Sequence, residues 1–99
     1  MAANELEVNI NALSNDITRL NEIASNLRNK SLRMFEELEA LDAMWEGDAH
    51  DTFRMQVVND KACMDELLRT VSSIIEYMNY AKQEYEMCED AVNNEISSI

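Results

Sequence analysis

The sequence predicts an all-α protein, an antiparallel two-helix hairpin that dimerises into a four-helix bundle. Three observations lead there. The 99 residues contain no proline and one glycine, Gly47, so few sharp turns are available to the chain. Apolar residues recur at alternating steps of four and three on both sides of that glycine. Further apolar residues flank both lines, making each stripe wider than a single helix–helix seam needs.

The first seam runs Leu6, Ile10, Leu13, Ile17, Leu20, Ala24, Leu27, Ser31, Met34, Leu38, Leu41 and Trp45, with Ser31 its only polar member. The second runs Phe53, Val57, Asp60, Met64, Leu67, Val71, Ile74, Met78, Ala81, Tyr85, Cys88, Val92, Glu95 and Ile99. Asp60 is expected at a solvent-reachable point, and Glu95 where the helix frays. A repeat of this kind packs helices along their length at a shallow angle. Helix one is expected over about 4–44, a turn over 45–48 and helix two over about 49–95, followed by a frayed tail, all within one domain, 1–99. Asn4 and Glu7 supply a start signal for helix one. Gly47 is expected to end that helix in a left-handed conformation, and Asp48 to cap helix two with Asp51 in its first turn.

Helices of these lengths span roughly 60 and 70 Å at 1.5 Å per residue, and a tight turn between them forces an antiparallel arrangement. The expected core of hairpin and dimer consists of Leu13, Ile17, Leu20, Leu27, Met34, Leu38, Leu41, Phe53, Val57, Met64, Leu67, Val71, Ile74 and Met78. Ile23, Phe35, Leu68, Ile75 and Ile96 flank these positions. A chain this small gains core by association, which makes a second copy the natural cover for the flanks.

Composition narrows the function. An apolar fraction of 46% supports folding, while 20 acidic against 8 basic residues give a net charge of −12. That balance repels phosphate and argues against nucleic acid and anionic membrane surfaces as partners. No window reaches the ~18–20 apolar residues of a membrane span. The segment Met1–Glu7 has neither a basic nor an apolar region of a Sec signal, which by itself reads as cytoplasmic. Cys63 and Cys88 would lie roughly 37 Å apart on one helix, too far for an intrachain disulfide, and read as reduced.

The residues for catalysis are missing. His50 is the one histidine, and a carboxylate-bridged di-metal site in a bundle needs Glu-x-x-His pairs on facing helices. Neither cysteine has a partner at zinc-ligand spacing, and no glycine-rich phosphate loop exists, so no metal, cofactor or enzyme activity is expected. His50 reads as a surface residue in the first turn of helix two. Trp45 and Phe53 bracket the turn on the seam side and are expected to close that end of the hairpin.

About one hundred residues, two long helices and Trp45-Glu46-Gly47 at their junction together resemble the WXG (Trp-Xaa-Gly) family of type VII secretion proteins, early-secreted-antigen-like. Ala49 and Phe53 fit the same segment. The family's C-terminal Tyr-x-x-x-Asp/Glu signal is matched twice, by Tyr80 with Glu84 and by Tyr85 with Glu89. Tyr85 and Glu89, nearer the tail, are the expected signal, with Tyr80 and Glu84 as the alternative because the seam phase of Tyr85 argues for them as the exposed pair.

The resemblance implies a non-catalytic homodimer, or a heterodimer with a related WXG protein. Such a protein is cytoplasmic until a membrane ATPase of the type VII system exports it without a Sec signal. It also implies a recognition surface that joins the Trp-x-Gly turn of one protomer to the tyrosine signal of the other. Some members accompany larger effectors or toxins in virulence or interbacterial competition. A distinct alternative is an intracellular helical adaptor or chaperone for a larger secreted effector.

Overall fold

The computed structural model describes residues 3–97, which form two helices, α1 (Ala3–Asp42) and α2 (Asp48–Ser97), arranged as a hairpin. The absence of proline and of interior glycine leaves nothing in either helix to interrupt the backbone ladder. Asn4 is already helical, so α1 begins slightly ahead of its expected cap. It ends two residues earlier than expected, and α2 starts one residue earlier and reaches further. Ile99, the last position of the second expected seam, lies outside the described residues. Among those described, no helix is long and apolar enough to cross a membrane.

The chain divides into two compact units, each containing a stretch of both helices. A terminal unit comprises Met1–Glu22 with Ser73–Ile99, and a turn unit comprises Ile23–Ser72. In the terminal unit Leu6, Ile17 and Ile75 are buried, and Ile10, Leu13, Leu20, Met78, Tyr85 and Val92 are half-buried around them. In the turn unit Ala24, Ser31 and Phe35 are buried, with Leu27, Leu38, Phe53, Val57, Met64, Leu68 and Val71 half-buried.

The inward line departs from strict alternation within the turn unit. On α1 it steps by four twice, from Leu27 to Ser31 to Phe35, so Phe35 replaces the expected Met34 while Leu38 keeps its place. Phe35 is 8% exposed and its neighbour Met34 43%. On α2 the line passes by Asp60, which is exposed and accepts a hydrogen bond from Gln56 Nε2 at 2.9 Å. From Met64 it continues through Leu68 and Val71 in place of Leu67, which is exposed; in the terminal unit Ile75 is buried and its neighbour Ile74 exposed. Leu41 and Trp45 are likewise exposed, and Asp42 takes the inward position beside them.

The physical reason is the period of the α-helix. At 3.6 residues per turn a straight helix drifts ~20° per seven-residue repeat, and a single four-residue step corrects it. The step falls where a strict alternation asks for a buried carboxylate at Asp60 and where Phe35 offers a large ring in place of a flexible thioether. The residues expected to flank the seams on this side, Phe35, Leu68 and Ile75, are therefore the ones that pack inside the hairpin. Met34, Leu41, Leu67 and Ile74 are outside it.

This division can be measured. Ile75→Ala should cost about 2–5 kcal/mol in denaturant unfolding, as a buried aliphatic truncation does. Ile74→Ala should cost less than half as much at low protein concentration, and equal losses at the two positions would place the inward line elsewhere.

Candidate functional site: the Trp-Glu-Gly turn and the two tyrosine motifs

The connection between the helices is residues 43–47. It opens with a tightened last turn of α1: Ala43 N–H donates to Glu39 O at 3.1 Å, Met44 N–H to Leu41 O at 3.0 Å and Trp45 N–H to Asp42 O at 3.3 Å. The last two are three-residue bonds, which satisfy carbonyls left over at a helix end. Gly47 has φ +107°, and its carbonyl accepts from His50 N–H at 3.1 Å and Asp51 N–H at 3.4 Å. It thus stands at the cap of α2 and not directly at the end of α1. Asp48, expected as that cap, is the first helical residue. There, with Asp51, it still places negative charge at the positive end of α2.

Trp45 folds back over the first turns of α2. Its ring lies 5.2 Å from Phe53, centroid to centroid, at 51°, and meets His50 edge-on at 6.4 Å and 77°. These are ordinary distances for aromatic pairs. The outer part of the indole remains exposed, as do Glu46 and Gly47. A groove of about 220 Å³ in the same unit is lined by Phe35, Leu38, Asp42, Phe53, Arg54 and Val57, among others.

His50 is not the surface residue expected from the sequence. Its Nε2 forms a close pair with Asp42 Oδ1 across the connection, and both atoms are buried. Among the described residues neither atom has a hydrogen-bond partner, so this close approach is the polar contact that each of them has. His50 Nδ1 lies 3.4 Å from exposed Asp51. Asp42 stands at the negative end of α1, an unfavourable place for a carboxylate, and α1 has no basic residue in its last turn. The imidazole reaching back from α2 is what meets that charge. The pairing spans eight residues of sequence and has no periodic signal by which it could have been anticipated.

The turn motif lies in the turn unit, and both tyrosine motifs lie in the terminal unit. Tyr85 and Glu89 are half-buried on the inward line of α2, whereas Tyr80 and Glu84 are exposed on the other side of the same helix. Cys63 and Cys88 are free thiols, both exposed, so neither fills the core. No group of three or more potential metal ligands occurs among the described residues.

The family model described as "Proteins of 100 residues with WXG", WXG100, matches residues 5–90. The chain is a WXG100 protein. The match takes in the turn motif and both tyrosine motifs, and it associates the chain with type VII secretion. WXG100 proteins are small non-catalytic secretion factors. No curated protein and no solved structure matches the chain.

Two substitutions test how this WXG100 turn is held. A methyl group at position 47 meets nothing within 4 Å, so Gly47→Ala acts through the backbone alone. It should cost about 1–3 kcal/mol, the strain of a positive φ, and a D-alanine at the same position should be tolerated. His50→Ala should cost about 1–3 kcal/mol by stranding the Asp42 carboxylate. Adding Asp42→Ala should recover part of that loss, and strictly additive losses would mean that the two side chains do not act as a pair.

Proposed function

We propose that this WXG100 protein is a small helical dimer that a type VII secretion system recognises and exports, acting by protein–protein contact. The observation that carries the reading is the division between the two tyrosine motifs. Tyr80 and Glu84 form an exposed pair one helical turn apart, while Tyr85 and Glu89 are committed to the hairpin's inward line. Tyr80 and Glu84 are therefore the signal that the secretion ATPase reads, and the exposed edge of Trp45 beside Glu46 and Gly47 is the other recognition element.

Dimerisation is supported in each unit by apolar residues that the hairpin leaves uncovered. In the turn unit Ile23, Met34 and Leu41 recur at eleven and seven residues on α1, which keeps them on one side of the helix, and Leu67 is exposed on α2. In the terminal unit Ile74 is exposed beside buried Ile75. A second copy, or a related WXG protein, covers these positions and completes a four-helix bundle. A larger effector or toxin is a further passenger of such a dimer.

The exposed thiols of Cys63 and Cys88 favour a second reading, in which the protein stays within the cell as an adaptor or chaperone for a secreted effector. Exposed free thiols persist in reducing compartments and oxidise outside them.

In cells carrying the cognate secretion system, wild-type protein should accumulate in the medium. Tyr80→Ala and Trp45→Ala should each abolish that accumulation, and Tyr85→Phe should leave it intact. Protein found only in the cell lysate, bound to a larger partner, would establish the second reading instead. Met34→Lys and Leu67→Lys should shift the purified protein to monomer in sedimentation with its helicity retained, because each places a charge in the covered flank. An unchanged sedimentation coefficient for both would remove the dimer surface.

A further inference from the structure

The C-terminal part of α2 carries a second repeating line that the hairpin does not use. Tyr77, Tyr80, Glu84, Met87 and Ala91 step by three, four, three and four residues, and all are exposed. At 100° per residue this line lies roughly half a turn from the inward line of Ile75, Met78, Tyr85 and Glu89. Tyr77 is 73% exposed, Tyr80 60% and Met87 64%. Single exposed apolar groups are ordinary on a protein surface. Two phenol rings and a thioether in register along one helix form a stripe with the spacing of a helix–helix contact.

The charge around the stripe identifies what fits it. Between Ser73 and Ile99 there are six acidic residues and one lysine. That lysine, Lys82, pairs with Glu86 at 3.5 Å. Glu76 and Glu84 are exposed alongside the tyrosines. A second copy of this chain would bring like charge to the same place and is disfavoured. A partner with apolar residues at helical spacing and Lys or Arg on either side meets both features. Its aliphatic side chains pack on Met87 and the ring edges, and its cations meet the carboxylates or lie over the phenol faces.

We propose that the Tyr77–Tyr80–Met87 stripe is a docking surface for a basic amphipathic helix of another protein. The proposal rests on Tyr80 and Glu84 as the recognition pair and extends that pair by a turn on either side. A stripe of this length covers far less than the ~800 Å² per partner of a standard stable interface, so the contact is transient.

The test uses the full chain and a fluorescent synthetic Leu/Lys amphipathic helix as probe, with a Leu/Glu helix of the same pattern as control. The Leu/Lys peptide should bind, with amide shifts confined in α2 to the outer side of residues 73–91, and the Leu/Glu peptide should not. Tyr77→Ala and Met87→Ala should each weaken binding by about 3–10-fold, with circular dichroism unchanged. Wild-type affinity in the Tyr77→Ala/Met87→Ala double variant would overturn the proposal, since binding would then be diffuse charge attraction. Export assays on Tyr80→Ala separate this inference from the reading beneath it. Blocked export together with binding that ignores Tyr77 and Met87 leaves the secretion signal standing and removes the stripe. Stripe-dependent binding together with normal export supports the stripe and removes Tyr80 as the signal.

Discussion

Everything in this hairpin depends on one backbone position being free to do what others cannot. Gly47 holds φ at +107°, and its carbonyl accepts from the amides of His50 and Asp51, starting α2. An L-side chain is strained in that conformation even where space is open, as it is here. The remaining features of the connection are arranged around this point. Trp45 precedes the glycine by two residues and can lie back on Phe53 only because the chain reverses there. Asp42 and His50, eight residues apart, meet for the same reason.

The elements themselves were written plainly in the sequence. A chain with no proline and one glycine has little choice about where to turn, and the apolar spacing on either side fixes helix as its state. The family resemblance was legible for a related reason. Trp-x-Gly means little at an arbitrary place, and here it occupies the one break between two helices. What spacing could not resolve was which of two adjacent apolar residues faces inward. Met34 and Phe35, Leu67 and Leu68, and Ile74 and Ile75 differ by 100° in direction and hardly at all in pattern. The drift of a straight helix decides between them, and it accumulates over distances that a local count of threes and fours does not track.

The site was legible in the same partial way. Trp45, Phe53 and Gly47 could be placed at the turn because they bracket the break. The Asp42–His50 pair could not, because it belongs to no period and joins residues that only the finished turn brings together. The two tyrosine motifs were visible as spacing. Their different exposures follow from helical phase, with Tyr85 and Glu89 on the inward line and Tyr80 and Glu84 away from it. Tyr77 and Met87 belong to neither seam, so core spacing carries no signal for them.

The adjacent apolar pairs carry a consequence for how the hairpin keeps its alignment. Within the turn unit, turning either helix about its own axis by one residue exchanges Phe35 for Met34, or Leu68 for Leu67, and still buries hydrocarbon. Hydrophobic burial by itself therefore discriminates weakly between neighbouring rotational settings, a degeneracy familiar from strands whose two faces are alike. The setting is fixed by contacts with no such near-duplicate: a glycine that alone tolerates its φ, a tryptophan with one phenylalanine to rest on, and a carboxylate whose buried oxygen has one imidazole to meet. All three lie at the connection. The turn thus acts as an index pin for the otherwise permissive helix stretches of the turn unit.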